Sequence, residues 1–410
     1  MPRSPVLSRC RSALLALTGV LFTLAASAAP PKAWVGNFKD DTVSVIDTGS
    51  GSVVATVPVP KGPHGMAVGA TGSPVYVSSD GASVVSAIDA ASDKVTATIE
   101  VGRSPHGLAL TPDGRMLLVG VYGEDRIAFV DTASKTVVAT VPVAKPHTIA
   151  VRPDGKLAYV ASQQPGAFAL VVVDLASRTV AKTIPLEKPP RDPEFAWDGT
   201  ALLFTMAGID AVQVLDPATD KVTATIATGA SPHLAMQARG AAFGTVVVQG
   251  PGELLLFDPV TRQPVRSVAV GKQPHWMAPA DGGKTFYVSN EGSNDVTVVD
   301  LASGKTRTIA VGNAPRKVVV QAGDGAAGTR VSIANFAFAP AQIVVAPKTT
   351  VTWSNDDGAP HGLAFTDGRA PAELILPGAR HARSFDAPGV YDYVCSVHPY
   401  MTGRVVVRAP

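Results

Sequence analysis

Asp47, Asp89, Asp131, Asp174, Asp216, Asp258 and Asp300 follow one another at gaps of 42, 42, 43, 42, 42 and 42 residues. Each closes an apolar run of one type, as in VSVID (43–47), IAFVD (127–131) and VTVVD (296–300). A second series keeps step with the first: Pro63-His64, Pro105-His106, Pro146-His147, Pro190-Arg191, Pro232-His233, Pro274-His275 and Pro315-Arg316. Self-similarity over about 40–45 residues marks a β-propeller, in which each repeat supplies one four-stranded blade. The count predicts seven blades, an all-β fold, and a different structure beyond Pro315.

Within each repeat four pieces recur. A short strand follows the Pro-X pair, as in HGLAL (106–110), and a turn such as TPDG (111–114) leads to a second strand such as LAYVAS (157–162). The third strand ends on the aspartate, and the fourth is of the TVVATVPV type (136–143). Short runs rich in Val, Ile and Ala, broken by Pro-Asp and Asp-Gly, are strand and turn signals, and no segment sustains a helical period. The array opens on a second strand, AWVGN (33–37), and ends on a surplus first strand, PRKVVVQ (315–321). Pairing those ends closes the ring and removes its exposed edges. The aspartates read as structural, each accepting from the backbone two residues on and closing a turn.

WVGN (34–37), YVSS (76–79), YVAS (159–162) and YVSN (287–290) sit at one repeat position, followed by the VSVID, VVATVPV and PHG elements. This pattern resembles the YVTN-type propeller repeat over about residues 33–322. The resemblance implies a scaffold, often a binding platform, with no single shared reaction.

The Pro-X pair enters the first strand, which is innermost in a propeller, so its second residues should ring one mouth of the central channel. Five are histidine (His64, His106, His147, His233, His275) and two are arginine (Arg191, Arg316), and the propeller has no other histidine. Three uses stay open: repeat chemistry with imidazole bonded to a neighbouring blade, an anion or substrate site, or a second metal, which imidazole suits. The fixed charges of the arginines oppose a fully metallated ring.

Residues 1–28 have the layout of a secretory signal: Arg3, Arg9 and Arg11, the apolar ALLALTGVLFTLAA (13–26), then Ala26-Ser27-Ala28. The stretch is too short for a membrane anchor, so export to a periplasm or its equivalent is expected, with no span in the mature chain. Losing three arginines and no acids takes the formal charge from +2 to −1. That leaves no electrostatic footprint for nucleic acid. Cys10 goes too, and Cys395 becomes a lone thiol. In an oxidising compartment such a thiol asks for burial, an intermolecular bridge or a metal.

GDGAAG (323–328) reads as a linker, after which the blade pattern stops. VSIANFAFAPAQIVVAPKTTVTWSNDD (331–357) and ARHARSFDAPGVYDYVCSVHPYMTGRVVVRA (379–409) predict a small Greek-key β-sandwich over 329–410. Cys395-Ser-Val-His398-Pro-Tyr-Met401, with His361 upstream in APHGLAF, offers a thiolate, two imidazoles and a thioether. That donor set is the one a mononuclear type 1 copper uses: a Cys-His-His plane with a weak axial Met. Zinc would want closed tetrahedral ligation without thioether. Tyr391, Tyr393 and Cys395 alternate on one strand, which turns Cys395 inward. His381 fits no ligand position and is expected at the surface.

These residues resemble the cupredoxin family over roughly 329–410, and the short C-x-x-H-x-x-M loop looks most like amicyanin. The resemblance implies the same four ligands, His361, Cys395, His398 and Met401. It also implies that electrons leave through a partly exposed His398 in an apolar patch, with which Pro399 and Tyr400 agree. Relatives often carry Asn after the upstream histidine, bonded to the cysteine loop; here Gly362 stands there, and that bond is expected to be missing.

The leading expectation is an exported electron carrier with one copper, a redox partner protein, and the propeller as docking scaffold. No Ser-His-Asp pattern or nucleotide loop argues for a catalyst. The rival is a two-centre oxidoreductase with substrate or a second metal at the histidine ring. Its domain order is similar to nitrous oxide reductase, but that enzyme needs two cysteines at its electron-entry site and a cluster bound by histidines alone, so its activity is not carried over. A third reading makes the propeller an interaction module in copper handling.

Overall fold

The computed structural model describes Met1 and residues 31–69, 72–112, 114–238, 240–321, 329–334, 336–339, 341–366 and 374–407. Apart from Met1, the expected export signal lies outside these residues, as does the expected linker at 323–328.

Between Lys32 and Val320 the described residues form seven four-stranded antiparallel sheets. Six are built from four strands consecutive in the chain. The seventh joins the two ends: Pro315–Val320 pairs with Lys32–Asn37, with Val318 opposite Val35 and Val319 opposite Trp34. The first strands of successive sheets touch one another, and Pro315–Val320 touches both Pro274–Ala280 and Pro63–Val68, so the series returns on itself. A sheet that would have ended on a bare edge is completed by the other end of the array.

The burial pattern explains which strands hold the ring together. Second and third strands such as Thr285–Asn290 and Val84–Asp89 are buried almost end to end, because neighbouring sheets cover both faces. The outer strand Thr136–Pro142 alternates exposed and covered positions, as expected of a strand with one wet face. Fully buried Trp34, Tyr76, Phe129, Phe204 and Phe286 lie in these layers. Each such side chain contributes on the order of 1.5–3 kcal/mol of transfer free energy.

One sheet is weaker, and its sequence says why. In Pro190-Arg191-Asp192-Pro193 two prolines lack the N–H that a ladder needs, and the first strand shrinks to Glu194–Phe195. Isolated bridges, Pro190 to Met206 and Asp192 to Leu234, replace the missing pairing.

The repeat aspartates close turns, reaching further than two residues. Asp131 Oδ1 accepts from Ala133 N at 3.1 Å and Ser134 N at 2.7 Å, and Asp300 Oδ1 accepts from Ser303 N at 2.7 Å. These bonds hold both carboxyls below the ordinary aspartate range.

Residues 330–407 form two further four-stranded sheets. Each contains one parallel pair, Arg330–Ala334 with Thr349–Asn355 and Gln342–Val345 with Thr402–Val407. Their shared core holds Val331, Ile333, Trp353, Phe385, Tyr393 and Val405. Within it Trp353 Nε1 donates to the Tyr393 hydroxyl at 2.9 Å. The whole described chain is nearly all-β, and none of its helices is long and apolar enough to cross a membrane.

Candidate metal centre

Cys395 follows the strand Gly389–Val394 and enters a tight loop. Its backbone N–H donates to Met401 O at 2.9 Å, while Met401 N–H donates to His398 O at 2.9 Å. Thus residues 395, 398 and 401 are drawn together at one end of the sandwich. His361 arrives from the other side, held by two backbone bonds to Ile375. Buried Asn355 fixes that approach, donating from Nδ2 to Ala359 O at 2.8 Å and Ile375 O at 2.7 Å.

The three donors make a nearly equilateral triangle. Cys395 Sγ lies 3.6 Å from His361 Nδ1 and 3.7 Å from His398 Nδ1, and the two nitrogens are 3.3 Å apart. A point equidistant from all three corners would be about 2.0 Å from each, against metal–nitrogen and metal–sulfur bonds of about 2.0–2.3 Å. The triangle therefore has the size of a coordination plane. Among the described residues it is the group of His, Cys, Asp and Glu donors that converges this closely.

Burial differs across the site. His361 and Cys395 are fully buried and Met401 nearly so, whereas His398 is half-buried. Cys395 is the free cysteine among the described residues. Its sulfur accepts one backbone N–H, from His398 at 3.4 Å. Around His398 stand exposed apolar groups: Val397, Pro399, Tyr400 and Phe336, whose ring meets His398 edge-on at 5.0 Å.

Gly362 stands directly against the Ser396 side chain. A Cβ there would lie 2.1 Å from Ser396 Oγ, and the contact that remains is Ser396 N to Gly362 O at 3.4 Å. His381 takes no part in the site. It is half-buried on the strand Arg380–Phe385, paired opposite Trp353, rather than a free surface group.

Sequence reasoning missed Asp357. Its Oδ2 lies 3.0 Å from His361 Nε2, so the carboxylate holds the far nitrogen of the buried ligand candidate. The same oxygen accepts from Phe336 N at 2.9 Å. The Asp-x-x-x-His spacing, with both residues in one short loop, was the available signal.

The histidines of the Pro-X series do gather in one place. Ring centroids are 3.6 Å apart for His64 and His106, 4.3 Å for His106 and His147, and 4.2 Å for His233 and His275. Hydroxyls of adjacent sheets clamp their backbones, Ser78 Oγ to His106 O at 2.6 Å and Thr205 Oγ1 to His233 O at 2.5 Å. Burial, reinforced by repulsion among the imidazoles, holds His64, His106 and His275 well below the ordinary histidine range. Burial, against the pull of Asp192 and helped by repulsion from His233 and Arg191, brings His147 to about 4.

The two arginines of the series are engaged elsewhere. Arg191 donates to Ser231 Oγ and Pro232 O, and Arg316 stacks 3.5 Å over Phe38 and pairs with Glu291. The sequence reading also passed over Asp192, a fully buried carboxylate among these rings.

A small β-sandwich with a Cys-His-His triangle at one end defines a copper-site fold. Residues 326–408 match the family of copper binding proteins described as plastocyanin/azurin, and residues 11–113 match the YNCE-like beta-propeller family. Over 88 residues the chain is 33% identical to amicyanin-alpha of Methylorubrum extorquens, covering 20% of this chain and 74% of that one. Plastocyanin of Scenedesmus fuscus is 31% identical over 84 residues, covering 17% of this chain and 86% of its own. The chain belongs, through its C-terminal sandwich, to the plastocyanin/azurin family of copper-binding proteins. For the propeller the likeness is one of fold. A chain of Kuenenia stuttgartiensis hydrazine synthase superposes with a TM-score of 0.61 at 20% identity, covering 69% of this chain and 99% of that one. Apo AztD from Citrobacter koseri does so at 0.56 and 18%, covering 72% and 98%.

Proposed function

We propose that this chain is an exported electron carrier holding one type 1 copper. His361, Cys395 and His398 would hold the ion, with Met401 as a further, thioether donor. The observation that carries the reading is the Cys395–His361–His398 triangle, sized for coordination before any ion arrives. A preformed site lowers the rearrangement between oxidation states, and copper so held supplies one-electron transfer. The chain's own contributions are a dry thiol, a fixed buried imidazole and a half-buried one facing outward.

His398, ringed by Val397, Pro399, Tyr400 and Phe336, is the natural contact for a redox partner protein. An apolar rim excludes water from the contact without demanding a charge match. Residues 33–322 would act as docking scaffold, joined through 323–328 to a copper domain at 329–410. Export rests on the basic and apolar segment within residues 1–28.

The test is optical and stoichiometric. Copper added to the purified mature chain should bind at one ion per chain and give a visible thiolate-to-copper band. Cys395→Ser should abolish that band. A copper-loaded parent protein without the band would refute the proposal.

A further inference from the structure

Among the first strands of the propeller lies a cavity of about 210 Å³, lined by propeller residues alone and by strands of five of the seven sheets. Leu108, Leu110, Ile149 and Val151 give it an apolar wall. Two opposite charges stand on the rest. Lys317, on the ring-closing strand, reaches over the Trp276 indole with its Nζ 3.8 Å from the ring centroid. Glu194 stands on the short strand Glu194–Phe195.

Among the described residues neither charge has a hydrogen bond or an ion pair with the protein. They act on each other at a distance: Glu194 supports the charge on Lys317, and Lys317 opposes the burial that raises Glu194 to about 7. The other carboxylate that favours Lys317, Asp192, is held 2.8 Å from His233 Nδ1. Charges taken out of bulk water are normally paired, so two lone opposite ones on one cavity call for a partner between them.

The repeat shows that neither charge belongs to the scaffold. Four residues on from the proline, Ala67, Ala109, Ala150 and Ala278 occupy the position that Glu194 holds. Directly after the Pro-X pair, where Gly65 and Gly107 stand, lysine occurs once in the seven repeats, at Lys317. The sheets form with alanine or glycine at these positions, so the two charges serve something besides folding.

We infer that this cavity binds a small zwitterion of the α-amino acid class, its carboxylate on Lys317, its ammonium on Glu194 and an apolar side chain on the wall of Leu108, Leu110, Ile149 and Val151. A ligand with one charge would strand the opposite wall group, whereas a zwitterion meets both and adds no net charge away from bulk water. The volume is below the roughly 300–1,000 Å³ of pockets for drug-sized ligands, which keeps the occupant small. Cys395 and this cavity share no residue, so the assignment does not depend on copper.

Calorimetric titration of the full mature chain with L-valine and L-leucine should give saturable binding at one molecule per chain. The leucine analogues 4-methylpentanoate, without the ammonium, and 3-methylbutylamine, without the carboxylate, should bind at least about tenfold more weakly. Glu194→Gln and Lys317→Met should each weaken leucine by at least about tenfold. Lys317→Met should also erase the preference for leucine over the amine, and Glu194→Gln the preference over the acid, a pattern that a merely structural role would not give. Cys395→Ser should bind leucine as the parent does, which separates this site from the copper reading. Should Lys317→Met not fold, Glu194→Gln with the two analogues decides. No saturable binding of either amino acid, equal binding of the single-charge analogues, or unchanged leucine affinity in Glu194→Gln would overturn the assignment.

Discussion

His361 Nε2 lies 3.0 Å from Asp357 Oδ2, and this pairing decides which imidazole nitrogen faces the thiol. A carboxylate accepts, so Nε2 carries the proton and Nδ1 presents its lone pair toward Cys395. Asp357→Ala frees the tautomer and the ring angle without touching a donor atom. Copper affinity is expected to fall about 10–100-fold in chelator competition, with the fold intact by circular dichroism. Unchanged affinity would mean that the Ile375 bridge alone orients His361.

The sandwich core contains a polar bond whose loss is asymmetric. Trp353 is fully buried, and its Nε1 donates to Tyr393 OH. Tyr393→Phe keeps the ring but leaves the indole N–H unpaired, which costs about 1–3 kcal/mol. Thermal unfolding followed by loss of the visible copper band should shift down by several degrees. A shift near zero would show that the indole finds another acceptor.

Closure of the ring by its last strand sets where the chain can be cut. A chain ended after Gln321 keeps Pro315–Val320 against Lys32–Asn37, whereas one ended after Ala314 bares that edge. The longer form should unfold in one cooperative step and stay monodisperse. The shorter should aggregate or melt broadly, because an exposed strand edge recruits other chains. Equal behaviour of the two would refute a closing role for residues 315–320.

How much of this was legible before the fold was seen depends on whether the signal was periodic. The aspartate and Pro-X series announced four-stranded repeats, and the surplus strand at 315–321 announced the pairing with residues 33–37. Cys395, His398 and Met401 were legible because one loop carries them at equal steps. Asp357 and Asp192 were not. Each acts through a neighbour brought close by folding, His361 in a non-repeating loop and His233 in the next sheet. Asp192 also sits where two prolines break the repeat, so the irregularity that hid the strand hid the residue. The reach of Asp131 to Ser134 likewise belongs to turn geometry that composition does not encode.

Acidification of the propeller pits two buried populations against each other. His147 titrates at about 4 in the fold against about 6.5 unfolded. Between those values the unfolded chain holds more protons, so stability rises with pH and is lost on acidification. His64, His106 and His275 shift the same way. Glu194 opposes them: burial raises it to about 7, so the folded chain holds more protons above about 4.5 and stability falls as pH rises through that window. Four histidines outweigh one glutamate, and the melting temperature in chelator should drop from pH 7 to pH 4. Glu194→Gln removes the opposing group. Allowing for its part exposure, the variant should gain about 1–2 kcal/mol at pH 7. That gain should vanish toward pH 4, where the parent's Glu194 is itself protonated. A gain that grew on acidification would reverse the assigned sign and sink the account.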